Sequence, residues 1–481
     1  MTNKLTTNKQ PNIVLIMTDQ QRTDTIAALG NPHMRTPNLD RLVQEGVSFD
    51  QCYVTAPCCA PSRASFFTGL YPHTNGVYKN ADLWRHSWVE KLADAGYHCA
   101  NIGKMHTFPY ETPMGFHERF VVENKDRYLE GRYFLDRWDM FLQAQGLTKQ
   151  QRELYRLRDD YKESLGAFDW ELPEHTQSDK FVGNTAAWWI RNKPVDQPLF
   201  LQIGFPGPHP PFDPPRRYAE EYLDKKLPLP QVTREELDGQ PAALKELRVH
   251  HAEIDHDSIY WLEDPTDEQL HRMRAYYYAN VTLIDELVGG IIEALEEKGK
   301  LDDTVIIFTS DHGEALGDHG LIQKWNMYDV ATRVPMIVWA PGRFAGNRRF
   351  DGQIQHFDVV PAIMELAGID VPASWATRSV MPALEGEEWS GRQYVFAEQS
   401  RDGILTGTAQ MTMIRDGEWK LVHYLEDEDG ELYHLANDPD EVRNLWNEPA
   451  AASVKERLTR ELLRWSLRSS LDAARWSEEW R

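Results

Sequence analysis

The chain has 481 residues, 41% of them hydrophobic and 16 of them tryptophan, which rules out one small core and suits a large domain with a smaller companion. Its 52 Lys and Arg face 75 Asp and Glu, and the formal charge of −23 disfavours nucleic acid and anionic membranes as partners. The 4 cysteines, two of them the neighbours Cys58 and Cys59, make no disulfide framework.

Residues 1–10 are polar and lack the apolar core of a secretory signal. No stretch approaches the ~20 apolar residues of a membrane-spanning helix, so the expectation is a soluble, cytoplasmic protein. Residues 12–17, Asn-Ile-Val-Leu-Ile-Met, form an apolar run closed by Thr18-Asp19-Gln20, the pattern of a strand buried on both faces of a parallel sheet. Thr36-Pro37-Asn38-Leu39-Asp40 opens a helix with Leu39, Leu42 and Val43 on one stripe, and residues 47–54 form a second β-branched run. The spacing predicts a helix over 62–69, directly after the turn that carries Cys59, with its N–H groups favouring negative charge there. Helix 88–95, strand 99–102, helix 181–190 and strand 199–203 follow, then a long helix over 267–298 and strands 304–309 and 335–339. Strands alternating with helices predict an α/β layer fold with a mostly parallel sheet and functional groups at the carboxyl ends of its strands.

Two regions break the pattern. Residues 124–170, rich in Arg, Asp, Tyr, Trp and Phe, show helical spacing without a strand; they read either as an inserted cap bearing on substrate choice or subunit contact, or as a solvated helical insertion. Beyond Pro372, short runs at 394–397, 411–414, 420–424 and 431–433 predict a small antiparallel subdomain. A helix then runs from Ser453, with Val454, Leu458, Leu462 and Trp465 on one stripe. Trp476 and Trp480 would anchor either a neighbouring subunit or their own domain. The expected division is 1–372, with the cap around 124–170, and 373–481.

Asp19 and Gln20 end the first strand, and Ser310-Asp311-His312-Gly313-Glu314 ends a second in the same manner. An Asp at a strand end often only caps a loop. Together, two carboxylates, an amide oxygen and an imidazole suit a divalent cation, Ca²⁺ or Mg²⁺ by the oxygens and Mn²⁺ by the nitrogen. Gly103-Lys104-Met105-His106, Gly207-Pro208-His209 and Lys324 supply cations and proton carriers on nearby loops.

Cys59-Ala60-Pro61-Ser62-Arg63, running on to Thr68-Gly69, matches the Cys-x-Pro-Ser-Arg…Thr-Gly signature of type I sulfatases. Gly103-Lys104-Met105-His106 resembles the family's Gly-Lys-x-His motif and Asp311-His312-Gly313 its second metal motif. Arg333-Val334-Pro335 and the stretch from Asp416-Gly417-Glu418-Trp419 to Asp438-Pro439 are family-like as well. The resemblance implies an alkaline phosphatase-like α/β/α sandwich plus a C-terminal antiparallel α+β subdomain. It implies that Cys59 is converted to Cα-formylglycine by a formylglycine-generating enzyme. It implies that residue 59, Asp19, Gln20, Asp311 and His312 surround one ion, Ca²⁺ ahead of Mn²⁺ and Mg²⁺. Arg63 would steady the hydrated aldehyde, Lys104 and Lys324 hold sulfate oxygens, and Asn80 complete the pocket. His209, with Lys324, would protonate the leaving alcohol, and His106 act as base on the covalent sulfo-enzyme.

The expected activity is therefore hydrolysis of a small-molecule or saccharide sulfate ester, by a chain that forms either a monomer or a homo-oligomer. Gln20 and His312 stand where many sulfatases carry Asp and Asn, and they resemble the phosphonate monoester and phosphodiester hydrolase branch. Lys104, His106 and Ser62 follow the sulfatase pattern. Phosphonate monoester or phosphodiester hydrolysis is the alternative activity, and an unmodified metal-binding scaffold the alternative class. Cys59 argues against phosphatase and phosphomutase relatives, which place Ser or Thr at the nucleophile.

Overall fold

The computed structural model describes residues 10–128, 134–400, 402–405, 407–425 and 427–473; Trp476 and Trp480 lie outside the described residues. In chain order the strands of the main sheet are β1 (Asn12–Asp19), β2 (Val47–Tyr53), β3 (His98–Gly103), β4 (Glu118–Val121), β5 (Leu199–Pro208), β6 (Thr304–Ser310), β7 (Arg333–Val334), β8 (Met336–Trp339) and β9 (Arg348–Gln355). The side chains of β1 explain its uninterrupted apolar run: Val14 and Ile16 enter one core, and Ile13, Leu15 and Met17 the other. Strands β5 and β6 flank β1 in parallel, and β3 and β4 extend the sheet beyond β5 in the same sense. On the far side β8 turns antiparallel to β6, and β2 pairs with β8 and β7 antiparallel and with β9 in parallel.

Helices Pro37–Glu45, Ser178–Asn192 and Asp267–Glu297 cover the face of Val14 and Ile16. Cys59–Thr68, Val89–Asp94 and Val359–Ala367 cover the other. The result is the expected α/β/α sandwich with a mostly parallel sheet. Three departures bear on the site. The helix expected over 62–69 begins at Cys59, because Pro61 sits in its first turn, where a missing N–H leaves no bond unmade. The strand expected over 199–203 continues to Pro208 and delivers His209 directly. Residues 124–170 contain the helices Arg137–Ala144 and Arg152–Tyr155, and send Trp138, Leu142 and Leu165 fully into the main core, so the segment is packed rather than solvated.

The C-terminal sheet is antiparallel in the order β10 (Val395–Ser400), β11 (Gln410–Arg415), β12 (Trp419–Tyr424), β13 (Gly430–His434). The helix Ala452–Ala473 lies against it, burying Leu458 and Leu462 and stacking Trp465 on Phe396 at 4.7 Å. All four cysteines are buried and free. No helix among the described residues is long and apolar enough to cross a membrane.

Lys420 of β12 is fully buried and pairs with Asp329, beside the main sheet, and with Glu441, past β13. Lys420→Met would leave the buried Glu441 facing the partly buried Asp329, with Arg333 Nη1, 3.9 Å from Asp329, as the more distant replacement for the ammonium between them. The expected loss is about 3–5 kcal/mol, read as a lower urea midpoint at unchanged slope.

Candidate active site

Thr18 and Ser310 are register partners in the parallel pair β1–β6, so the residues that follow, Asp19 and Asp311, emerge side by side at the sheet's carboxyl edge. Cys59 is the first residue of its helix, and Arg63, one turn later, lies on the same face. Arg63 donates from Nε to Asp311 Oδ2 (2.8 Å), from Nη2 to Asp19 Oδ2 (3.1 Å) and from Nη1 to the Lys104 carbonyl (3.0 Å). Asp19, Arg63, Asp311 and His312 have no exposed surface.

Lys104 enters because two glycines let the chain turn beneath it. A Cβ on Gly103, at φ +98°, would meet the Gly204 carbonyl oxygen at 2.0 Å, and one on Gly204 would meet the Lys104 oxygen at 1.9 Å. Lys104 Nζ then lies 2.8 Å from Asp19 Oδ2. Lys324 is held between two residues in left-handed conformation, Gln323 (φ 62°) and Trp325 (φ 67°). Its Nζ donates to Gln20 Oε1 at 2.8 Å and lies 3.3 Å from Cys59 Sγ. That sulfur is 3.2 Å from His312 Nε2 and 3.6 Å from Asp19 Oδ1.

Burial and the neighbouring Asp19 carboxylate push the Cys59 thiol up to about 12, so the encoded side chain is a poor nucleophile. Burial would raise the Asp19 carboxyl too, but Lys104, His209, Arg63 and Lys324 hold it well below its ordinary value. Burial pushes His312 down to about 4 and keeps its ring neutral. His312 Nδ1 faces the Gly313 carbonyl at 2.9 Å and must donate to it, which leaves the Nε2 lone pair turned to the cluster. One ligand atom each from Asp19, Cys59, Asp311 and His312 lies within 4.8 Å of the others. Two carboxylates and a neutral imidazole fit a divalent cation. Gln20 stands beside this group: its N–H donates to Asp311 Oδ1 at 3.0 Å, and its side-chain amide bridges Lys324 and Glu314. Arg63, Lys104 and Lys324 leave an excess of positive charge over Asp19 and Asp311, a local attraction for an anion within an acidic chain.

The remaining expected residues flank this centre. His209, directly after β5, is buried, with Nδ1 on the Pro210 carbonyl at 2.7 Å and Nε2 3.4 Å from Asp257 Oδ2. His106 is half-buried; its backbone N–H rests on both Glu123 oxygens at 3.1 Å, and its Nδ1 has no hydrogen-bond partner among the described residues. Burial and Lys104 push its ring well below the ordinary value, and burial raises Glu123 to about 7. Asn80 is exposed at the start of the Cys59 helix, its Oδ1 accepting from the Ala60 N–H at 3.4 Å. Glu123, Asp257, Glu314 and Asp402 were not singled out in the sequence. Asp402 reaches from the C-terminal sheet to Trp325 Nε1 at 2.9 Å and to within 3.8 Å of Cys58 Sγ. None of the four belongs to a motif whose spacing advertises it; Glu314 alone adjoins one.

Residues 11–369 match the family model described as Sulfatase, and residues 317–468 the model described as N-sulphoglucosamine sulphohydrolase, C-terminal. The arylsulfatase of Clostridium perfringens is 30% identical over 465 residues, covering 93% of this chain and 92% of that protein. The choline-sulfatase of Rhizobium meliloti is also 30% identical, covering 95% and 86% respectively. Among solved structures, a phosphonate monoester hydrolase from Silicibacter pomeroyi superposes with a TM-score of 0.80 at 28% identity, over 96% of each chain.

Arg63→Lys keeps the charge and loses the planar fork that joins Asp19 to Asp311. Each charge-assisted bond forfeited is worth about 1.5–3 kcal/mol. A drop of that size in unfolding free energy, by urea titration, is the expected result.

Proposed function

The chain belongs to the sulfatase family and is a sulfuric ester hydrolase; from that premise we propose that residue 59, oxidised to formylglycine, is its nucleophile. The observation that carries the reading is the position of Cys59 at a helix start, within 3.2–3.6 Å of an imidazole, an ammonium and a carboxylate. The thiol itself is suppressed there, whereas the aldehyde hydrate would offer two hydroxyls on one carbon. One attacks sulfur as the S–O bond to the alcohol breaks. The other collapses to the aldehyde and expels sulfate, its proton taken by His106. Lys104 and Lys324 hold the sulfate oxygens, Arg63 steadies the hydrate, and His209 with Lys324 protonates the leaving oxygen. Asn80 lines the mouth.

Residue 59, Asp19, Gln20, Asp311 and His312 would hold one divalent ion, with Ca²⁺ favoured over Mn²⁺ and Mg²⁺. When bound, such an ion lowers the pKa of an adjacent hydroxyl and neutralises substrate oxygens. The alcohol half comes from an aryl, alkyl or saccharide sulfate, and the segment 124–170 is the proposed determinant of which. The same reading gives a catalytic domain of 1–372, a C-terminal subdomain of 373–481, maturation by a formylglycine-generating enzyme, and either a monomer or a homo-oligomer, which light scattering distinguishes. Gln20 and His312, with the likeness to a phosphonate monoester hydrolase, favour phosphonate monoester and phosphodiester cleavage as a second activity. Comparison of kcat/KM for 4-nitrophenyl sulfate, phosphonate monoester and phosphodiester decides the order; sulfate is expected to lead.

Conversion at residue 59 is expected as a mass change in the peptide that contains it. Cys59→Ser should accumulate a stable labelled ester and stop, because a serine sulfate has no geminal hydroxyl; steady turnover by that variant would refute the mechanism. Chelation with EDTA should abolish sulfate release, and Ca²⁺ should restore more of it than Mg²⁺ at equal concentration.

A further inference from the structure

We infer that Asp257 is a positioning residue that holds the His209 imidazole with a proton on each ring nitrogen, ready to give the Nε2 proton to the leaving oxygen. The inference rests on the reading of His209 as the acid. A carbonyl only accepts, so the 2.7 Å contact between His209 Nδ1 and the Pro210 oxygen requires a hydrogen on Nδ1. An ionised carboxylate also only accepts, so Asp257 Oδ2, 3.4 Å from Nε2, calls for a second hydrogen there. That separation exceeds the ~2.7–2.9 Å of a settled charge-assisted bond, so the proton is oriented without being captured.

The construction of the turn supports a dedicated role. Asp257 (φ 60°) and Ser258 (φ 59°) are adjacent non-glycine residues in left-handed conformation, between the bridge partners His256 and Ile259. Ser258 Oγ donates to Asp126 Oδ2 at 2.6 Å. Arg127 Nη1 (3.1 Å) and Arg152 Nη2 (3.3 Å), both from the 124–170 segment, donate to Asp257 Oδ1 and leave Oδ2 for His209. Burial alone would raise the Asp257 carboxyl, but His209, Arg127 and Lys324 hold it well below the usual range. Burial and Lys324 hold His209 below its ordinary value, and Asp257 and Asp19 offset only part of that lowering. Lys125 faces the same loop, donating to the His209 carbonyl at 3.1 Å and pairing with Asp213.

The step balances simply. As the S–O bond breaks, its electron pair goes to the departing oxygen, which takes the Nε2 proton and leaves as neutral alcohol. His209 goes from imidazolium to neutral imidazole with its remaining proton on Nδ1 and its Nε2 lone pair facing a carboxylate, and a proton taken up from solvent restores the starting state.

The test uses full-length enzyme with verified conversion at residue 59, comparing Asp257→Asn, Asp257→Glu and His209→Asn on 4-nitrophenyl sulfate and on an alkyl sulfate. Nitrophenoxide departs without help, whereas an alkoxide needs the proton, and general acids contribute about 10²–10⁴-fold. Asp257→Asn is expected to lose at least about tenfold more on the alkyl ester than on the aryl ester. The alkaline limb of its kcat/KM profile should move to lower pH, and Asp257→Glu should recover part of both effects. Turnover of the aryl ester by the same preparation reports that the variant is folded. Equal losses on the two esters, or an unmoved alkaline limb, would overturn the role of Asp257 if His209→Asn remains selective for the alkyl ester. If His209→Asn shows no such selectivity, the assignment of His209 fails first and takes this one with it.

Discussion

Arg63 is the tie on which the site depends. The β1–β6 register brings Asp19 and Asp311 together in a buried site, and the planar, permanently charged Arg63 bonds both at once. Because Arg63 shares a helix face with Cys59, the same tie fixes residue 59 against the strand ends. Lys104 and Lys324 complete a pocket whose sign opposes that of the molecule as a whole.

A second regularity is where backbone conformation departs from the ordinary. Gln20, His106, Gln323, Trp325 and Asp257 all lie at positive φ, and each is or adjoins a group of the centre. Such conformations are disfavoured for residues with a Cβ and persist only where the surroundings dictate them. Here the surroundings are a sheet whose central strands are buried throughout. The rigid layer bears the unfavourable geometry of the loops at its edge.

This division also explains what could be read from the chain alone. Strands β1, β5 and β6 were legible because burial on both faces demands apolar runs, and the residues just after them could be named as site candidates. Strand β9 was not, because Arg-Arg-Phe-Asp-Gly-Gln-Ile-Gln borders solvent along half its length and shows no apolar run. Strand β4 is only 4 residues long, too short to carry a period. Asp257 and Asp402 were invisible for another reason: each gains meaning only from a partner far along the chain, His209 in one case and Trp325 in the other. The Cys59 helix starts three residues before the expected 62–69, because Pro61 occupies its first turn, where a missing N–H leaves no bond unmade.

The burial of Cys59 imposes an order of events on the making of the protein. In the finished fold the sulfur is 1% exposed, walled by strand ends and helix, with its ionisation suppressed. A separate catalyst that must grasp this segment would find no handle once the layers have closed. Any oxidation of that side chain by such a catalyst would therefore belong to the time when the polypeptide is still open, and a molecule that closed first would keep its thiol for as long as it stayed folded.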